Sequence, residues 1–147
     1  MKRQILNIVV TLSVIAALSI AGFAGLSGTI KANIPFDFMA GGKKFPAGEY
    51  AVSAGIIQST LEVRNLKTSQ AVIAISQRLE VRAGSKPRLV FRRYGNQYFL
   101  AKATDYSGGI ELPMSKAERV AAKAKHDILT MKDAEPEIVT VNAQTGQ

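Results

Sequence analysis

Cysteine and tryptophan are absent from the 147 residues, and histidine occurs once, at His126. Without cysteine there is no disulfide, no thiol nucleophile and no lipid-anchored start of the bacterial lipoprotein type. Small exported domains usually lean on disulfides, so a domain of this composition must hold together by burial alone. One histidine cannot supply the several Cys or His ligands of an ordinary zinc site. A serine–histidine–acid arrangement would have to use His126, which lies beside Asp127 with no serine in a strained, glycine-flanked turn. The sequence therefore assigns no catalytic, cofactor-binding or metal-ligating residue. Acid is also scarce, with 11 Asp and Glu against 19 Lys and Arg, a net charge of +8.

The N-terminus carries the most specific signal. Met1-Lys2-Arg3 precedes an apolar run from Ile5 to Ile20, which gives way to Ala21-Gly22-Phe23-Ala24-Gly25. A cationic start, a short apolar core and a small-residue exit are the parts of an export signal. The alternative is an uncleaved anchor, since about 20 apolar residues span a bilayer as a helix. Gly22 and Ala24 place the expected cut before Gly25, and a later cut as far as Ala32 is open. Residues 1–24 are thus expected to be a signal peptide and 25–147 a single β-rich domain. Removing 24 residues leaves 123 of the 147 and, with Lys2 and Arg3 gone, a charge of +6. That is enough chain for one core and too little for two comfortable domains. The charge favours anionic neighbours such as envelope lipids or polysaccharides, and it is equally within the range that keeps a small domain soluble.

Short alternating runs between turn residues predict antiparallel strands. Ile34, Phe36 and Phe38 alternate, and Gly41-Gly42 closes a hairpin that sets Phe38 opposite Phe45. Tyr50, Val52 and Ala54 share a strand face. Leu61 and Val63, then Ala71, Ile73 and Ile75, predict a hairpin with Val63 opposite Ala71 and Leu61 opposite Ile73, which buries both rows. Leu89 and Phe91 point inward, and Gly95-Asn96 places Arg93 opposite Tyr98 and Phe91 opposite Leu100. That strand is expected to run on to about Tyr106 and end at Ser107-Gly108-Gly109.

Ser115-Lys116-Ala117-Glu118 reads as a capping box that opens a helix over 115–125. Ala117, Val120, Ala121, Ala124 and Ile128 form its apolar stripe. Val90, Phe99 and Ala101 make the outer face of the Arg88–Tyr106 hairpin too apolar to stay wet, so the helix is expected to cover it. Ile138–Val141 is a last strand, and 142–147 a loose tail. The expected fold is mainly β, a single antiparallel closed or half-closed barrel or sandwich of about seven strands, with one C-terminal α-helix packed outside.

Gly41-Gly42-Lys43-Lys44 lacks the first glycine and the Ser/Thr of a phosphate loop; it is a turn. Asp37, Asp105 and Glu111 lie near turns, and no spacing pairs them. If the Ala83–Pro87 loop joins adjacent strands, Arg82 faces Arg88 and Arg78 faces Arg92, with Glu80 between them. Like charges directly opposite are unfavourable, which marks Arg78, Arg82, Arg88 and Arg92 as a candidate anion-binding face. Nucleic acid is excluded as a partner, because export removes the chain from it and the aromatics fall on core-facing rows.

The motifs Asn33-Ile34-Pro35-Phe36-Asp37-Phe38, Gly41-Gly42-Lys43 and Pro46-Ala47-Gly48-Glu49-Tyr50 resemble those of a small exported bacterial family with no assigned function. Leu89-Val90-Phe91-Arg92-Arg93-Tyr94-Gly95, Tyr98-Phe99-Leu100 and Glu111-Leu112-Pro113 with Ser115 resemble its later motifs. Where that family often carries an aromatic after the position of Leu100, this chain has Ala101-Lys102-Ala103-Thr104. The resemblance implies an exported single-domain β protein and transfers no catalytic residue. The functional expectation is an exported, periplasmic or secreted envelope protein, non-enzymatic and without cofactor, that binds a partner or serves structure. Its ligand would be an anionic envelope lipid or polysaccharide, and a membrane would be met only through an uncleaved N-terminus. Two alternatives are a hydrolase of an envelope polymer using paired carboxylates and an assembly protein acting through sheet edges.

Overall fold

Period-two alternation sorts apolar from polar side chains only if a sheet separates two environments, and the chain builds two. The computed structural model describes residues 26–82, 84–128 and 135–146; the expected signal peptide, residues 1–24, lies outside them. The strands are β1 (Thr29–Ile34), β2 (Phe38–Ala40), β3 (Lys43–Phe45), β4 (Gly48–Ala54), β5 (Thr60–Asn65) and β6 (Ala71–Ile75). They continue with β7 (Gln77–Leu79), β8 (Arg88–Tyr94), β9 (Gln97–Thr104), β10 (Gly109–Glu111), β11 (Glu137–Asn142) and β12 (Gln144–Gly146). The helix, α1, spans Lys116–Ile128. Sheet A runs β12-β1-β4-β5-β6, and sheet B curls as a half-barrel in the order β11-β8-β9-β10-β7 with the β2–β3 hairpin attached to β9. The fold is mainly β with one helix outside, as expected, although the strands are shorter and more numerous than the sequence suggested.

Aromatic rings join the two sheets. Tyr50 of sheet A meets Phe38 edge-on with centroids 4.9 Å apart, and Phe38 meets Phe91 of sheet B at 5.5 Å. Phe38 and Phe45 do face each other across the glycine turn, with rings stacked at 5.4 Å. That turn needs its glycines, since Gly41 and Gly42 have φ of +57° and +80°, where a side chain is strained.

Four expectations need correction. The β5–β6 register is one residue off: Leu61 pairs with Ala74 and Val63 with Val72. The loop holds four residues, because Asn65 accepts from the N–H groups of Lys67 and Thr68 and Ser69 takes a left-handed φ of +58°. Ile73 and Ile75 therefore face outward, 60% and 75% exposed, and small Ala74 lies inside against the Gly41 turn. The second correction is the strand after Leu100. It stops at Thr104, and Asp105 N–H donating to Gly108 closes a turn into β10. Third, residues 144–146 are no loose tail, because β12 pairs with β1.

The last concerns the helix. It lies over the Arg92–Tyr94 and Gln97–Phe99 end of the β8–β9 face, beside Phe99, and Val90 is left half-buried. Its buried contact is Glu118, however, while Ala117, Val120 and Ala124 stay exposed. The side chain of Ile128 lies outside the described residues.

Candidate functional site

Strand neighbours decide where the four candidate arginines go. β7 pairs with β10, and β8 with β9 and β11. Arg78 thus lies opposite Ile110, and Arg92 opposite Phe99 and Ile138. The proposed Arg78–Arg92 and Arg82–Arg88 oppositions do not exist, because β7 and β8 are not neighbours.

Arg92 belongs to a closed cluster. Its Nε donates to Oε1 of Glu118, and its Nη2 donates to Oε2 of Glu118 at 3.3 Å and to the Leu112 carbonyl at 3.2 Å. Glu111 lies 3.8 Å from Nη1 and is shared with Lys102 at 3.5 Å. Tyr94 directs its hydroxyl at Glu118, and burial, then the Glu118 charge, push that phenol above its usual value. Ser115 accepts from the Glu118 N–H at 3.1 Å, half of the predicted capping box. The Glu118 carboxylate is spent on Arg92 instead. With guanidinium, carbonyl and phenol around it, Glu118 has no free face for a substrate, and the cluster is the pin that seats α1 on sheet B.

The other carboxylates are equally occupied. Asp105 is buried and accepts from the N–H groups of Ser107, Gly108 and Ser27, which ties the β9–β10 turn to the start of β1. Asp37 bonds Lys44 at 3.2 Å and the Ala47 N–H at 3.1 Å; Lys44, then Ala47, hold its carboxyl below 3.8. Asp37 and Asp105 lie at opposite ends of the strands, so they form no acid/base pair. His126 is exposed on α1.

One end of the molecule is different. Between the sheets opens a mouth of about 510 Å³, lined by Leu26, the Ala54–Thr60 segment, Ser76, Gln77, Arg78 and Ile110. At its tip Ile56 is fully exposed and Ile57 is 68% exposed. The tip is a formed turn, with the Gly55 N–H donating to the Thr60 carbonyl at 2.8 Å and Ser59 at a φ of +61°. Ile75 pairs with Thr60, and its exposed side chain stands beside the same turn. Arg88, Thr104, Gly109 and Leu79 form one row across sheet B at this end. The connection from Leu79 to Arg88, which leaves sheet B at this end, carries Arg82 and Lys86, both exposed. Among the described residues no carboxylate lies within ion-pair reach of Arg78, Arg82, Lys86 or Arg88.

Of the four sequence-selected arginines, Arg78 alone lines this mouth, and Arg88 lies three strands away at the same end of sheet B. Ile56 and Ile57 escaped notice because a loop has no periodicity to read; two large apolar residues between Gly55 and Ser59 were the available signal. Among the described residues no helix is long and apolar enough to cross a membrane. No family model, curated protein or solved structure matches the chain.

Proposed function

We propose that this chain is an exported, non-enzymatic binding module of the cell envelope, and that its ligand sits at the mouth between the sheets. The observation that carries the reading is the coincidence of exposed Ile56 and Ile57 with Arg78, which has no acidic partner among the described residues, at a cleft large enough for a ligand. Isolated exposed apolar residues are ordinary, but a contiguous patch at an open cleft marks an interaction site. The export signal and the motifs that resemble an exported family support the location. A cut as late as Ala32 would remove Ile30, which is fully buried, so a released product should begin at or before Leu26.

Thermal denaturation of the purified chain against anionic lipids, glycans and small apolar molecules tests the reading. The expected result is a raised midpoint with at least one class, lost on combining Ile57→Ser with Arg78→Gln. No shift with any class, or a shift that this variant retains, overturns it. N-terminal sequencing of the chain recovered outside the cytoplasm tests export. An intact, cytoplasmic Met1 product would refute it.

A second reading is favoured by one observation. β6 is an edge strand of sheet A that shows Ile73 and Ile75 to solvent, and such edges invite pairing with another chain. An oligomer that grows with concentration and disappears on Ile73→Lys would support assembly through this edge.

A further inference from the structure

The mouth offers apolar and cationic surface side by side, and one class of ligand satisfies both. Resting on the binding reading above and naming its ligand, we propose that this face docks on an anionic phospholipid bilayer. The Ile56–Ile57 tip enters the interface, and Arg78, Arg82, Lys86 and Arg88 meet headgroup phosphates.

Two observations converge. Two neighbouring isoleucines stand at the very tip of a fixed turn, 102% and 68% exposed, where water offers them nothing and the headgroup–acyl boundary buries them. The stretch 76–88 holds four cations against one carboxylate, Glu80. An anionic lipid surface attracts basic residues held near it. A soluble polyanion would engage the arginines and leave both isoleucines in water. A small apolar ligand would do the reverse. A charged bilayer does both.

The lack of native cysteine makes single-site labelling clean. The full chain carrying Ile57→Cys, or Lys67→Cys at the opposite end, is labelled with an environment-sensitive dye and mixed with vesicles. One set is pure phosphatidylcholine; the other is equal parts phosphatidylcholine and phosphatidylglycerol. Both labelled positions are exposed, so neither label removes a packing contact. The dye at 57 should shift to the blue with the anionic vesicles alone, and the dye at 67 should not shift. Changing Arg78, Arg82 and Arg88 to Gln should weaken partitioning by about fivefold per charge removed, and salt should weaken it further. A dye at 57 that stays aqueous, one that shifts equally with both vesicles, or a dye at 67 that shifts alongside it overturns the bilayer proposal. In that case, protection of the dye at 57 by a soluble glycan or apolar ligand would leave the binding reading standing; if no ligand affects it, both fall.

Discussion

Arg92 and Arg88 lie four residues apart on the same strand and have opposite fates. Around Arg92, whose side chain is 14% exposed, a buried carboxylate, a carbonyl and a second carboxylate take up the guanidinium. Arg88 sits at the strand end, beyond the reach of α1, which starts near Arg92 and runs toward the Gly95–Asn96 turn. The end of the molecule opposite the mouth repeats the first pattern: Lys44 pairs with Asp37, and Arg93 with Glu137 at 3.1 Å while lying over the Tyr98 ring. A cation becomes part of the structure where the fold delivers a carboxylate to it, and remains surface where the fold delivers none. Among the described residues, none reaches Arg78, Arg82, Lys86 or Arg88.

The largest effect should come from breaking the cluster. Glu118→Ala leaves the largely buried Arg92 with only the more distant Glu111 as a charged partner and should cost about 3 kcal/mol, read as a fall in the denaturant midpoint. Replacing both residues with leucine should recover most of that loss. A single-variant cost below about 1 kcal/mol, the range of an ordinary exposed pair, would show that the cluster does not hold the helix. Next comes the glycine turn that packs on β6. A Cβ at Gly41 would lie 3.0 Å from Cβ of Ala74 and 3.1 Å from Val72, while Gly42 has open space. Gly41→Ala should cost about 1–3 kcal/mol and Gly42→Ala measurably less; equal costs would mean that contact with β6 is irrelevant.

At the mouth row, Thr104 keeps a buried hydroxyl with no hydrogen-bond partner among the described residues. Thr104→Val should therefore stabilise the fold by about 1 kcal/mol, seen as a higher melting temperature. Tyr94 links the cluster to pH. Its phenol, like that of Tyr50, is raised above 10.0, chiefly by burial. The folded state thus holds its proton where the unfolded chain releases it. The stability is complete below about pH 10 and is lost as pH climbs toward the raised values, and Tyr94→Phe should flatten part of that alkaline slope. Smallest of all, Arg78→Gln, Arg82→Gln and Arg88→Gln should each move stability by no more than about 0.5 kcal/mol. That near-silence, beside the cost at Glu118, is what the comparison requires.

Part of the site was legible. Arg78, Arg82 and Arg88 stand out as cations in a stretch with one acid, although of the three only Arg78 lines the mouth. Arg92 looks identical in sequence, and only the placement of Glu118, twenty-six residues later, withdraws it. Ile73 and Ile75 read as core because a three-residue loop would bury them; Asn65 and Ser69 shape a four-residue loop, and one residue reverses every side chain of β6.

Local features were settled by the amino-acid order alone. The Phe38–Phe45 and Arg93–Tyr98 pairs, the glycine turn and the start of the helix depend on alternation, φ preference and capping within a few residues. Which strands become neighbours was decided only in three dimensions. β7 beside β10, β11 beside β8 and β12 beside β1 arise because faces far apart in the chain must be buried together, and no short stretch contains that condition. The same long-range packing created the mouth and set Arg78 in its lining.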